Sequence, residues 1–292
     1  MKKITLVFLP ILISACAGGG SSSSGGSAST NAFTSWSATI SANTPVSFTG
    51  GSTSVMAPDG ASVQTDSDGT ATLALGGNGI FSSISASTPT SSASFSAANG
   101  DTLQSGFYQT STIALNKAET TIGVFTNPTY YGFEYQTYGA WGAYGNATSS
   151  GSAISVGSVT PVTGMPATGS YTFTGGASGY YTDANKLAYV TNASMTATAS
   201  FDSRTVNFNT TGTSLAGSPS GTPVAASNLN LVGTLSIATG ANNLAGTVTT
   251  VSGMSGNANG KFYGPTANEV GGTYAVSGSG LGTFVGGFGG KR

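Results

Sequence analysis

Apolar and aromatic residues fall at alternate positions along most of this chain, a two-residue period that predicts strands rather than helices. Tyr171-Thr172-Phe173, Met195 to Phe201, Val206-Asn207-Phe208 and Leu229 to Val232 show it. So do Leu235-Ser236-Ile237, Thr247-Val248-Thr249 and Thr273 to Val276. Gly, Asn, Pro and Asp clusters separate the runs, as turns require. Ser and Thr fill many intervening places, which suits a face that meets water. Beyond the N-terminal leader, no stretch keeps a helical period for more than a turn or two. Thr112 to Thr121, with Leu115, Lys117 and Glu119, comes nearest and reads at least as well as a strand. Ser82 to Ala98 is so poor in large side chains that it reads as a long loop. The expected fold class is all-β.

Pro161, Gly164 and Pro166 interrupt the pattern, and a more regular series of short strands begins near Gly169. This predicts a β-rich domain over residues 31–165 and a second domain over 166–292. The second has about eight strands at hairpin spacing, enough to close an eight-stranded antiparallel barrel. Closure also hides the strand edges of a chain rich in β-formers and poor in charge.

The N-terminus has its own pattern. Met1-Lys2-Lys3 precedes an apolar run from Ile4 to Ile13, followed by Ser14-Ala15-Cys16. A basic start, a short apolar segment and small residues at a cut site make a secretory leader over residues 1–15. The run is too short to span a bilayer, which takes about 20 residues. Ile13-Ser14-Ala15-Cys16 resembles a lipobox, with the chain's one cysteine in the acylated position. That resemblance implies a lipid attached to Cys16 and a membrane partner. Ala17, in place of a retaining Asp, points to the outer membrane. Residues 16–30 are almost wholly Gly, Ser and Ala, which cannot bury enough apolar surface to offset ordering. They form a tether with a reach on the order of 20 Å.

Charged residues are 6% of the chain, far below the usual quarter. Of eight basic residues, Lys2 and Lys3 leave with the leader, so six remain against nine acidic, a net charge of −3. Nucleic acid is therefore excluded as a partner, because no basic stripe exists to neutralise phosphates. Histidine is absent, which removes Ser-His-Asp and Cys-His catalysis and imidazole metal sites. With Cys16 acylated, no thiol is left for disulfides or thiolate chemistry. No residue set earns a catalytic, metal or cofactor assignment, and the expected class is not an enzyme.

Three motifs read as turns. Asp66-Ser67-Asp68-Gly69 lacks the later ligands of a calcium loop. Gly278-Ser279-Gly280-Leu281-Gly282 lies between strand patterns and reads as a hairpin turn, not a phosphate cradle. In the segment Gly260 to Tyr274, Phe262 ends a strand, Gly264-Pro265 starts a turn, and Gly271-Gly272 allows a bulge or a close backbone approach. Glu269 is placed to accept N–H bonds from that turn. The segment Tyr130 to Tyr144 is densely aromatic. A strand there would put Tyr131, Phe133 and Tyr135 on one face, with Tyr130 and Glu134 on the other. Its rings either pack between a sheet and its neighbour or contact a ligand, and Tyr130, Tyr131, Tyr135, Tyr138 and Trp141 are the candidate contacts.

The run from Gly260 through Phe262, Gly264, Pro265, Glu269, Gly271 and Gly272 resembles the hairpin signature of the transferrin-binding protein B barrel domain. Phe284 to Arg292 is similar to that domain's last strand, and Phe133 to Trp141 to a strand that precedes the barrel in single-lobe relatives. The resemblance implies an eight-stranded barrel preceded by a handle-like domain, carried by an outer-membrane lipoprotein at the cell surface. It further implies a host-protein or solute ligand of the iron- or haem-carrier class and a TonB-dependent transporter as a second partner. The chain has room for one handle–barrel lobe, where transferrin-binding protein B has two, so transferrin itself does not follow. An adhesive or structural envelope lipoprotein without cargo is the alternative. An integral outer-membrane barrel fits poorly, because the candidate strands lack a continuous lipid-facing apolar band.

Overall fold

The computed structural model describes residues 34–39, 45–65 and 68–292, with the side chains of 39 and 62–65 left aside. Cys16, the leader, the tether and two members of the Asp66 motif lie outside the described residues. Among the described residues helix is confined to single turns: α1 (Trp36–Thr39), α2 (Pro128–Tyr131) and three short 3-10 segments. All sheet pairing is antiparallel, and the all-β class holds.

The first strands are β1 (Val46–Gly50), β2 (Ser52–Met56), β3 (Ser62–Thr65) and β4 (Gly69–Leu75). A hairpin follows, β5 (Phe81–Thr88) and β6 (Ser91–Ser96), then β7 (Thr102–Gly106), β8 (Ser111–Leu115) and β9 (Thr121–Thr126). After α2 come β10 (Gln136–Ala143) and β11 (Gly151–Gly157). They form a four-stranded sheet, β1-β4-β5-β6, and a seven-stranded one, β3-β2-β11-β10-β9-β8-β7. The stretch expected to be a long loop, Ser82 to Ala98, is thus mostly the β5–β6 hairpin. Its inward positions include the small residues Ala86 and Ala93 beside Ile84 and Phe95, so the alternation is real but carries little hydrophobicity. Thr112 to Thr121 is the end of β8 and a turn into β9, not a helix.

Eight strands then close a barrel: β12 (Ser170–Thr182), β13 (Ala188–Ser200), β14 (Thr205–Ala216), and, after the two-residue β15 (Val224–Ala225), β16 (Leu231–Ile237), β17 (Leu244–Thr250), β18 (Ser255–Tyr263), β19 (Glu269–Gly278) and β20 (Gly282–Lys291). β12 pairs with both β13 and β20, and β13 with β14, so the ring has no gap. Its interior is packed with Phe173, Phe201, Phe208, Leu235, Val248, Phe262, Tyr274 and Phe288. On its open side the wall shows Asn207, Asn209, Thr234, Ser236 and Thr247 to water. Apolar inside and hydroxylated outside is the reverse of a barrel that faces lipid.

The seven-stranded sheet is the middle layer. One face of it, with Phe125, Trp141, Ile154 and Val156, packs on the four-stranded sheet. The opposite face, with Ile113, Val124, Ala140 and Ala153, meets Tyr180, Ala275 and Val285 on the barrel wall. Strict alternation along β10 and β11 thus serves two interfaces at once.

Candidate functional site

The aromatic segment lies at the seam between the middle sheet and the barrel. It is not one strand. Pro128 at the first helical position and Gly132 in the left-handed region (φ +63°) build and end α2, and extended backbone resumes at Gln136. The expected facing of Tyr130 to Tyr135 along a strand is therefore incorrect. Tyr138 and Trp141 are each 1% exposed, so they are core residues and present no surface to a ligand. Trp141 stacks on Phe125 at 6.3 Å. Tyr131 and Tyr135 are partly buried, and Tyr130 is 54% exposed. Tyr130, Tyr131, Phe133 and Tyr138 form a ladder of ring contacts, with centroids 5.0, 5.3 and 6.3 Å apart in that order. Burial, and Tyr130 beside it, push the Tyr131 phenol up to about 12.

This ladder rests on glycine. An added Cβ at Gly287 would come within 2.8 Å of Tyr138, and at Gly289 within 2.7 Å of the same ring. At Gly176 it would meet the Tyr131 hydroxyl at 2.3 Å, and at Gly271 the Gln136 amide oxygen at 1.9 Å. These four glycines on β12, β19 and β20 leave a bare backbone wall against which Gln136, Tyr138 and Tyr131 lie. The Gly271-Gly272 pair makes the expected close approach, with an unbroken register and no bulge. The insertion is mutual. Tyr180 leaves the barrel, sits over Gly142 and Gly151, and donates from its hydroxyl to the Ala143 carbonyl at 2.9 Å. Tyr180→Phe removes that bond and is expected to cost about 1 kcal/mol in chemical denaturation; an unchanged midpoint would show the bond to be neutral.

Polar groups complete the seam. Asn192 donates to the Ser111 and Ser178 hydroxyls, both at 3.1 Å, and Ser54 donates to Thr273 at 2.9 Å. Ser155 and the Tyr263 hydroxyl are 3.0 Å apart. Glu269, the acidic residue of the hairpin motif, does not serve its own turn as expected. Its carboxylate accepts from the backbone N–H of Glu134 at 2.7 Å and of Tyr135 at 3.2 Å, across the seam. It is 2% exposed, and burial pushes it up to about 7 from its ordinary 4.5, against those donors and Lys291. The rest of the motif is structural: Phe262 lies in the barrel core, and Gly264 takes φ +83° in the turn. Phe262 and Gly264 are also bonded to residues 158–160, before the first barrel strand, through Thr160 N–H to the Phe262 carbonyl and Gly264 N–H to the Ser158 carbonyl.

Tyr130 is the most open of the five candidate rings, at the end of the middle sheet, while Tyr135 lines a separate cleft of about 360 Å³ with Val159, Pro161 and Pro265. Tyr108, in the β7–β8 turn, is 86% exposed, more than any other large apolar side chain among the described residues. Phe107 and Tyr108 are adjacent in sequence, and composition does not tell which one points out. A cleft of about 320 Å³ lies at the same end of the sheet, lined by Asn78, Ser105, Gln109, Asn127, Thr129 and Tyr130 along with Ile80. No lining residue is charged, and no cluster of three metal-ligating side chains occurs among the described residues.

Residues 165–292 match the family model described as the C-lobe and N-lobe beta barrels of Tf-binding protein B. Among solved structures, a transferrin-binding protein B variant from Haemophilus parasuis Hp5 shares 15% identity over 82% of this chain and 44% of its own, with a TM-score of 0.47. Isotype 1 transferrin-binding protein B from serogroup B Neisseria meningitidis shares 12% over 84% and 43%, with a TM-score of 0.41. A crystal structure described as a surface lipoprotein shares 11% over 82% and 98%, with a TM-score of 0.42. This chain thus spans under half the length of those two transferrin-binding proteins. No curated protein matches. Residues 165–292, which hold the closed eight-stranded ring, are thus similar to the barrels of that family.

Proposed function

We propose that this protein is a non-catalytic lipoprotein of the outer membrane, held at the cell surface by lipid on Cys16, that binds a macromolecular or small-solute ligand of the iron- or haem-carrier class. The observation that carries the reading is the family barrel over residues 165–292. We divide the chain into a leader (1–15), a tether (16–30), a handle (31–165) and the barrel (166–292). In this reading the barrel is a rigid support, and ligand contact belongs to the handle end with Tyr108 and Tyr130. Tyr131 braces Tyr130 at that end, while Tyr135 lies against the Gly264-Pro265 turn. A TonB-dependent transporter would take the cargo onward.

Two experiments test it. Cys16→Ser should abolish palmitate labelling and release the protein from the membrane fraction; unchanged retention would end the lipoprotein reading. Affinity capture from host serum with the purified chain should return a discrete ligand at 1:1 stoichiometry. Self-association or matrix adhesion alone would favour the adhesive alternative.

A further inference from the structure

The turn that carries Tyr108 holds that side chain outward and Phe107 inward. Phe107, Tyr108 and Gln109 all have positive φ, at 46°, 59° and 76°, in the left-handed region that L-residues with a Cβ rarely occupy. Three such residues in a row persist only where the surroundings over-determine them, and such strain gathers at binding sites. The surroundings are visible. Phe107 is 4% exposed and anchored in the core cluster that also holds Ile113. Asn127, itself buried, donates from its amide to the Gln109 carbonyl at 2.7 Å and from its backbone to the Thr110 carbonyl at 3.0 Å. Its amide oxygen is fixed in turn by the Thr112 hydroxyl at 2.7 Å. Tyr108 is therefore displayed by a clamped turn. Tyr130 is held likewise, its ring braced edge-on by Tyr131 at 5.0 Å.

The chemistry of this end is narrow. Two exposed phenol rings offer flat apolar faces with polar rims. The cleft that Tyr130 lines, with Gln109 next to Tyr108 in sequence, presents amides and hydroxyls with no charge, in a volume at the small end of the roughly 300–1,000 Å³ that holds small molecules. Lys291 and Arg292 share a separate groove with Tyr130 and Tyr131, but within the cleft an ionic ligand would lose hydration and gain no counter-charge. A purely apolar ligand would strip water from the amides without replacing it. A ligand with one face of C–H groups and an edge of hydroxyls satisfies both surfaces.

We propose that this end of the molecule recognises neutral oligosaccharide, with Tyr108 and Tyr130 stacking on sugar rings and the cleft amides and hydroxyls bonding sugar hydroxyls. The proposal rests on the ligand-binding reading above and names the ligand's chemistry. Such a site would read a free glycan or the glycan of a host glycoprotein alike, since both present the same hydroxylated rings.

The test uses the whole purified chain on an array of neutral gluco-, galacto- and manno-configured oligosaccharides, with sialylated and sulfated glycans alongside. The strongest neutral binder is then titrated calorimetrically at low and high salt. Binding to at least one neutral oligosaccharide is expected, with little salt dependence. Tyr108→Ala and Tyr130→Ala should each weaken it tenfold or more, Tyr108→Phe should retain most of it, and the thermal midpoint should not move. Silence on every neutral glycan, binding confined to the charged ones, or an affinity unmoved by either alanine overturns the proposal. A serum protein that still binds through Tyr108 after enzymatic deglycosylation overturns the sugar class and leaves the ligand-binding reading standing. Silence on the array together with no ligand from serum overturns both.

Discussion

Gly272→Ala is expected to lower the stability of the chain by about 3 kcal/mol, with a drop of roughly 10 °C in thermal midpoint. The single methyl group has nowhere to go. Gly272 lies between Gly271 and Thr273, which face the seven-stranded sheet, so its own side-chain position points into the barrel. A Cβ there would come 2.1 Å from the Asn259 carbonyl oxygen and 2.7 Å from both the Gly260 backbone and the Phe288 ring. Two of those three contacts are backbone of the paired strand β18, in register with Gly272 across a closed ring. A side chain can rotate away from an intruder, but a closed barrel transmits a strand's displacement around the ring. Differential scanning calorimetry checks the result. The matched control is Gly280→Ala at the β19–β20 turn, where φ is +70° and no atom lies within 4 Å of the new Cβ. It bears only the smaller conformational penalty of a left-handed residue. If the two variants unfold together, packing at the wall is not what demands glycine at 272.

The second large effect concerns pH. Glu269 has a folded pKa of about 7, above its ordinary 4.5, because burial disfavours the carboxylate. Between those two values the folded protein binds more protons than the unfolded chain, so this group's stabilising contribution is full below about pH 4.5 and is lost as pH rises through 7. The span of the shift sets the size at on the order of 3 kcal/mol. Glu269→Gln removes the titration and keeps a carbonyl oxygen for the Glu134 N–H. The midpoint of the parent, measured against that of Glu269→Gln at constant ionic strength, should therefore fall as pH is raised from 5 to 8. A difference that stays flat, or climbs with pH, would mean that the two backbone donors and Lys291 outweigh burial.

Much of the architecture was legible in the chain because alternation survives in it. The expected eight strands after Gly169 correspond to the closed ring from β12 to β20, and Gly278 to Gly282 does turn between β19 and β20. What was illegible has a physical pattern. The β5–β6 hairpin is hidden because Ala86 and Ala93 fill its inward places, so burial leaves a weak trace in hydropathy. Glu269 looks like a local turn acceptor because its partners, Glu134 and Tyr135, are 135 and 134 residues away in sequence. The rings of Tyr138 and Trp141 look like a contact surface because composition does not tell a ring facing water from one facing a bare strand. The glycines carry a further signal. Gly287 and Gly289, like Gly271 before Thr273, fall at every second place on outward positions. A two-residue period of glycine on a barrel's outside marks a wall against which another layer lies closely.

The placement of Trp36 carries a mechanical consequence. Its indole N–H donates to the Gln136 carbonyl at 2.8 Å, and its backbone N–H to the Glu134 carbonyl at 2.7 Å. Phe48 and Phe81 flank the ring at 5.8 and 6.3 Å. Trp36 thus plugs into the entry of β10, beside the segment whose amides Glu269 grips. A pull applied at Trp36 would load the keel of the fold, through its bonds to Glu134 and Gln136, rather than a strand at a sheet edge.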